Sequence, residues 1–175
     1  MPTFALQQIS SAYAKENAGR TLDKPVAIKY LKRFLPEDIH AALLAACPSG
    51  GVYVWGAKSE RSHQTYKIAP RDCLVLFRQG RRVVKYGAVI DSIYSRELAE
   101  YLWKLDTDGT AWEYVFFLAR IHATNYSTDL LNPGLGRKPR DNWQGLTVLH
   151  VKDDPAFQEL MEAPGAALYL PRQEQ

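Results

Sequence analysis

The chain has 175 residues, 46% of them hydrophobic, 23% charged and 11% aromatic, with a formal net charge of +3. That is about one domain of ordinary globular composition, long enough to bury a core without disulfide staples and too short for two independent catalytic domains. Its longest apolar runs, such as Ala41–Cys47 and Val115–Ala119, fall far short of the roughly 20 residues that cross a bilayer, and the N-terminal residues lack a secretory-signal layout, so a soluble, cytoplasmic protein with no membrane partner is expected.

In chain order, apolar residues at Phe4, Leu6, Ile9 and Tyr13 predict a short helix over 3–17. Pro36, Glu37 and Asp38 suit the start of a helix whose apolar stripe is Ile39, Ala42, Leu43 and Ala46, and Pro48-Ser49-Gly50-Gly51 ends it. The texture then becomes strand-like at 52–55, 72–78 and 83–90, the last two joined as a hairpin through Gln79-Gly80-Arg81. Ser95 caps a helix running to Trp103. After a turn at 106–109, residues 112–119 are apolar on both faces, as in a central strand. A short strand at 146–151 and a helix at 155–161 complete the chain. The expected fold is α/β (α+β): a small, curved, mostly antiparallel sheet or open barrel of about five to six strands, flanked by helices.

The usual signatures of catalysis are missing. No phosphate-cradling P-loop and no nucleophile-elbow pattern occurs, and Gly134–Arg137 has neither the lysine nor the spacing for a triphosphate. His40, His63, His122 and His150 lie far apart, and Cys47 and Cys73 lack metal-ligand spacing, so two reduced thiols, no metal and no cofactor are expected. The chain reads as a non-enzyme.

Charge is unevenly spread. From Lys58 to Lys85 eight basic residues face two acids, and Arg137-Lys138-Pro139-Arg140 makes a second basic cluster in a Gly/Pro-rich loop; from Asp91 to Glu113 six acids face two bases. Lys58, Arg61, Arg81, Arg82, Arg137, Lys138 and Arg140 are the candidate contacts to a phosphate backbone. Trp55 ends a strand and is followed by Gly56 and a polar loop, a combination that offers a flat ligand a ring face and close backbone approach. Trp103, Tyr94 and Tyr66 could complete such a cage, whereas Trp112, Phe116 and Phe117 read as core.

The order Gly-x-x-x-Trp-Gly (Gly51–Gly56), Asp72–Phe77, Gly87–Ile90, Leu98–Trp103 and Trp112–Leu118 resembles the branch of the PUA-like superfamily that holds YTH and EVE domains. Within it, the chain is similar to the N-terminal DNA-recognition domains of McrB-type modification-dependent restriction systems. The loop from Leu131-Asn132-Pro133 through Arg137–Leu146 resembles the basic loop near the end of YTH domains. The resemblance implies a reader domain over 46–165, a helical lead-in over 1–45 and a tail at 166–175. It also implies that Trp55 and Gly56, with Trp103 or Tyr94 as a second ring, surround an extruded, methylated base of duplex DNA, with Arg140 on a phosphate and motor and nuclease domains or subunits elsewhere. The Asn-rich stretch that reads methylated adenine in YTH domains has no counterpart at 34–40, which leaves methylated adenine and methylated cytosine both open. An RNA-binding PUA-like domain and a module docking an acidic protein are the alternative readings.

Overall fold

Residues 3–65, 68 and 73–150 are described by a computed structural model. In chain order they form β1 (Thr3–Gln8), α1 (Ala12–Thr21), β2 (Val26–Ala27), α2 (Ile28–Leu31) continued by a 3-10 turn (Lys32–Phe34), and α3 (Glu37–Ala46). Then come β3 (Gly51–Ala57), a 3-10 turn (Ser59–Arg61) leading into α4 (Ser62–Thr65), β4 (Cys73–Gln79), β5 (Arg82–Tyr94) and α5 (Arg96–Trp103). The last elements are β6 (Tyr114–Leu118), β7 (His122–Ser127), α6 (Thr128–Leu131) and β8 (Thr147–His150).

The strands make one open sheet in the order β2-β3-β6-β5-β4-β1-β8, with β7 paired to β5 off that path. Only β1 and β4 run parallel; the other pairings are antiparallel. The fold class is therefore as expected, with eight strands among the described residues in place of five or six. The strands missed are β1, the two-residue β2, and the polar β7, which has no apolar alternation to announce it.

β5 organises the sheet. It pairs with β7 along Arg82–Tyr86 and with β6 along Val89–Tyr94, and a register shift between Val89 and Asp91 bends it where the partner changes. Gly87 sits at that change: an added Cβ would lie 2.5 Å from the Arg120 carbonyl oxygen, so only glycine allows the backbones to pass. The resulting curl is strong enough for Trp55 on β3 to meet Phe77 on β4, with ring centroids 5.5 Å apart, although β6 and β5 lie between them in the sheet.

Both faces of the curled sheet are buried. The larger core gathers α1, α3 and α5 against the concave side, and the smaller packs Phe4, Leu6, Leu74 and Leu76 beneath Leu131, Leu135 and Trp143. This two-sided burial corrects the expected N-terminal helix. Phe4 and Leu6 enter the smaller core while Ala5 between them enters the larger, a period of two that belongs to a strand. The helix starts only after Ser11, whose Oγ accepts from the Ala14 N–H at 3.0 Å. Within the stretch read as a helical lead-in, β1 lies between β4 and β8 in the sheet.

The remaining elements follow the sequence pattern. Gly80, at φ +59°, closes the β4–β5 hairpin, and Ser95 Oγ accepts from the Leu98 N–H at 3.1 Å to start α5. Cys47 and Cys73 are free and buried, and burial pushes the Cys73 thiol up to about 12. No helix among the described residues is long and apolar enough to cross a membrane. The expected helix at 155–161, the tail at 166–175 and Tyr66 lie outside the described residues.

Candidate nucleic-acid interface

The tryptophans do not form a cage. Trp55 is 0% exposed and Trp103 2%, and both belong to the larger core. The Trp55 ring packs on Phe77 and on Trp112, whose centroid is 4.6 Å away. Trp103 packs edge-on to Trp112 and donates its Nε1–H to Thr21 Oγ1 at 3.1 Å, joining α5 to α1. Gly56 serves that packing, since an added Cβ would meet the Trp103 ring at 2.7 Å. The physical reason is the curl of the sheet: a ring on its concave side is covered by the strands that wrap around it.

An open aromatic site lies one strand over. On the β5–β6 pair, Ser92 faces Phe116 and Tyr94 faces Tyr114, which puts all four side chains on one face of the sheet. With Ile93, Thr65 and Ile68 they line a slot of about 200 Å³. Tyr94, 60% exposed, forms its rim, with its ring 5.0 Å from that of Tyr114 at an interplanar angle of 63°. The Tyr94 hydroxyl donates to Glu113 Oε2 at 2.8 Å, and Arg96 Nη1 donates to Glu113 Oε1 at 3.1 Å. The hydrogen bond to Glu113, with desolvation behind it, holds the Tyr94 phenol above its ordinary pKa, so the ring stays neutral and its orientation fixed. The slot is smaller than the roughly 300–1,000 Å³ of drug-sized sites, a size suited to one flat ring.

A basic cup forms the second part. Arg137, Lys138, Arg140, Asp141, Asn142 and Gln144 line an open hollow of about 530 Å³. The cup is built on two fully buried side chains, Asn132 and Trp143. Asn132 Nδ2 donates to the carbonyls of Pro139 at 2.9 Å and Asp141 at 3.2 Å, while its Oδ1 accepts from Trp143 Nε1–H at 2.8 Å. From below, Arg78, 3% exposed, donates through both Nη atoms to Asn142 Oδ1 at 3.3 Å. Burial and the neighbouring Arg81 guanidinium lower the Arg78 pKa. Arg137 pairs with Asp141 at 2.6 Å, whereas Lys138 and Arg140 are exposed and make no ion pair among the described residues.

Slot and cup are tied together by the segment between them. Gln64 Oε1 accepts from the Val148 N–H at 2.8 Å, which fixes α4 against β8 beside Thr65 of the slot. The Arg61 guanidinium lies against Gly145, next to Gln144 of the cup, close enough that a Cβ there would be 2.5 Å from Nη2. Arg61 and Thr65 are four residues apart, roughly 6 Å along a helical turn.

Other basic residues of the Lys58–Lys85 run behave differently. Lys58 bridges Asp106 at 3.0 Å and Asp108 at 3.1 Å, Arg81 pairs with Asp129, and Lys85 pairs with Asp23. Arg82 donates to Asn125 Oδ1 at 2.6 Å and to the Asn125 carbonyl. Of the seven candidate phosphate contacts, the structure gathers Arg137, Lys138 and Arg140 in one cup, sets Arg61 at its edge, and engages Lys58, Arg81 and Arg82 with the protein's own acceptors. Sequence reasoning missed Tyr114, Ser92 and Ile68 and read Phe116 as core only. The readable signal was the period-two alternation of Ser92/Tyr94 and Tyr114/Phe116.

No protein-family model matches the chain, and no curated protein matches it. Among solved structures it is similar to the N-terminal domain of Thermococcus gammatolerans McrB bound to m5C DNA, with a TM-score of 0.60 and 20% sequence identity. The match covers 91% of this chain and 95% of that one. This chain has that domain's fold.

Proposed function

We propose, from that shared fold, that this domain is a non-catalytic reader of modified DNA. It takes one extruded base into the Tyr94–Tyr114–Phe116 slot and lays neighbouring phosphates on the Arg137–Arg140 cup. The observation that carries the reading is the slot itself: an open, aromatic-walled hollow sized for a single ring, tied through α4 to a basic hollow, on a fold whose solved counterpart was bound to m5C DNA. Extruding a base costs a few kcal/mol, and stacking on aromatic rings is worth about 1–3 kcal/mol per base. Phosphate contacts supply the remainder without reading sequence. A buried methyl adds on the order of 0.8 kcal/mol, so the preference for a modified base is modest unless a polar group also reads the base edge; Ser92 stands at the slot for that. In this reading the domain is the specificity module of a restriction system whose motor and nuclease lie in other domains or subunits.

The test is a titration of three otherwise identical duplexes carrying one methylcytosine, one methyladenine or no modification. One modified duplex should bind more tightly, and Tyr94→Ala or Tyr114→Ala should remove that preference while leaving salt-sensitive binding. Equal affinity for all three removes the reader.

A further inference from the structure

Lys29, Tyr30, Lys32, Arg33 and Tyr101 line a third open hollow, of about 590 Å³, on the outside of α2 and α5. The local pattern explains its chemistry. Ile28 and Leu31 are buried, which turns Lys29, Tyr30, Lys32 and Arg33 to solvent. The Arg33 guanidinium sits 4.6 Å from the Phe34 ring centroid and 5.1 Å from that of Tyr101, with the two rings 5.0 Å apart. Lys29 Nζ lies 4.9 Å from the Tyr30 ring centroid. None of Lys29, Lys32 and Arg33 makes an ion pair among the described residues, unlike Lys58, Arg81 and Lys85.

We propose that this patch is a second contact for duplex DNA, gripping the phosphate backbone beside the extruded base without regard to modification; the inference rests on the domain binding duplex DNA. Its rings already hold cations, so it offers charge outward and no free platform for stacking a base. The rings also fix the Arg33 guanidinium in place, which favours a repeating row of acceptor-only oxygens. α5 connects the two sites: Tyr94 lies two residues before its first residue, Arg96, and Tyr101 lies near its end, about 7.5 Å along the axis from Arg96. At about 3.4 Å per base pair, a duplex that is seated at the slot and runs along α5 reaches the patch some three pairs beyond the base.

The experiment compares a hairpin-capped duplex keeping two pairs on either side of the target base with one keeping twelve, each modified and unmodified, across a salt series. For Lys29→Gln/Lys32→Gln/Arg33→Gln, the slope of log affinity against log salt on the long duplex should shrink by about 2–3, equally for both forms, with the short duplex unaffected. Lys29→Gln/Lys32→Gln, which leaves the Arg33 stack intact, should shrink it by about 1–2. An unchanged slope on the long duplex overturns the patch while leaving the reader standing. A reduced slope in a protein that shows no preference for modification supports the patch and removes the reader. Loss of binding to an acidic peptide with DNA binding untouched assigns the patch to a protein partner and overturns the proposal.

Discussion

Two aromatic groups beside the same sheet meet opposite fates. Trp55, Trp103 and Trp112 are sealed where the sheet curls over them, with the Trp55 indole on Phe77 and Trp112 and the Trp103 indole on Trp112 and Thr21. Tyr94 and Tyr114, at the outer end of the β5–β6 pair, stand at the edge of that curl and keep ring surface facing an open slot. In the proposed reading ring size does not mark the binding site. Position along the strand relative to the bend does, and the tyrosines' hydroxyls suit a half-wet rim better than indoles suit it.

The largest expected effect breaks this contrast directly. Trp55→Ala empties a fully buried site and should cost about 3–5 kcal/mol in denaturant unfolding, whereas Tyr94→Ala should leave stability within roughly 1 kcal/mol and reduce affinity for the preferred duplex. A Trp55→Ala protein that folds with wild-type stability and loses only its preference would move the site back to the indole. Next is Asn132→Ala. It leaves the Trp143 indole N–H buried without an acceptor, at a cost of about 1–3 kcal/mol, and releases the 139–141 backbone that shapes the cup. Affinity for modified and unmodified duplex should fall together, read by the same titration.

Much of the architecture was legible because local rules agree with the global fold. The Pro36–Asp38 start, the Ser95 cap, the Gly80 hairpin and the apolar β6 each state their element in a few residues. β1 was misread because Phe4, Leu6, Ile9 and Tyr13 satisfy a helical spacing loosely, and nothing within the segment reveals that Ala5 faces a second core. The slot was half legible. Tyr94 could be named as a ring before a helix, but its partnership with Tyr114 depends on a β5–β6 register set by a bulge at Val89–Asp91 that no local signal announces. The Asn132–Trp143 hub joins residues eleven apart through a loop whose path only tertiary packing determines.

Charge repeats the lesson of the rings. The stretch from Lys58 to Lys85 is the most basic in the chain, yet Lys58, Arg81 and Lys85 are satisfied by Asp106, Asp108, Asp129 and Asp23, while Lys138 and Arg140 in a shorter run are exposed and make no ion pair among the described residues. Arg140→Ala should weaken binding to modified and unmodified duplexes alike and shrink the salt slope by about 1. Arg81→Ala should leave the slope unchanged and alter stability by less than about 1 kcal/mol, since its ion pair is exposed. Equal loss from the two would mean that Arg81 leaves Asp129 when DNA arrives.

The smallest effect sharpens how firmly Lys58 is held. Thr110 donates to Asp108 Oδ1 through its hydroxyl at 2.5 Å and its backbone N–H at 3.0 Å, and with Lys58 on the other oxygen these bonds hold the carboxyl at about 2 against an ordinary 3.8. A carboxyl depressed in the folded state stabilises it above about pH 4, and that contribution fades as pH falls toward 2. The side-chain carboxyl resonance of Asp108 should therefore titrate near 2. Thr110→Ala, which removes the hydroxyl bond and keeps the backbone N–H bond, should move that midpoint upward further than Lys58→Met does, because the hydroxyl bond is the largest single cause. If Lys58→Met produces the greater shift, the ammonium and not the turn anchors the carboxylate, and Lys58 is bound to the protein more tightly than any free phosphate contact should be.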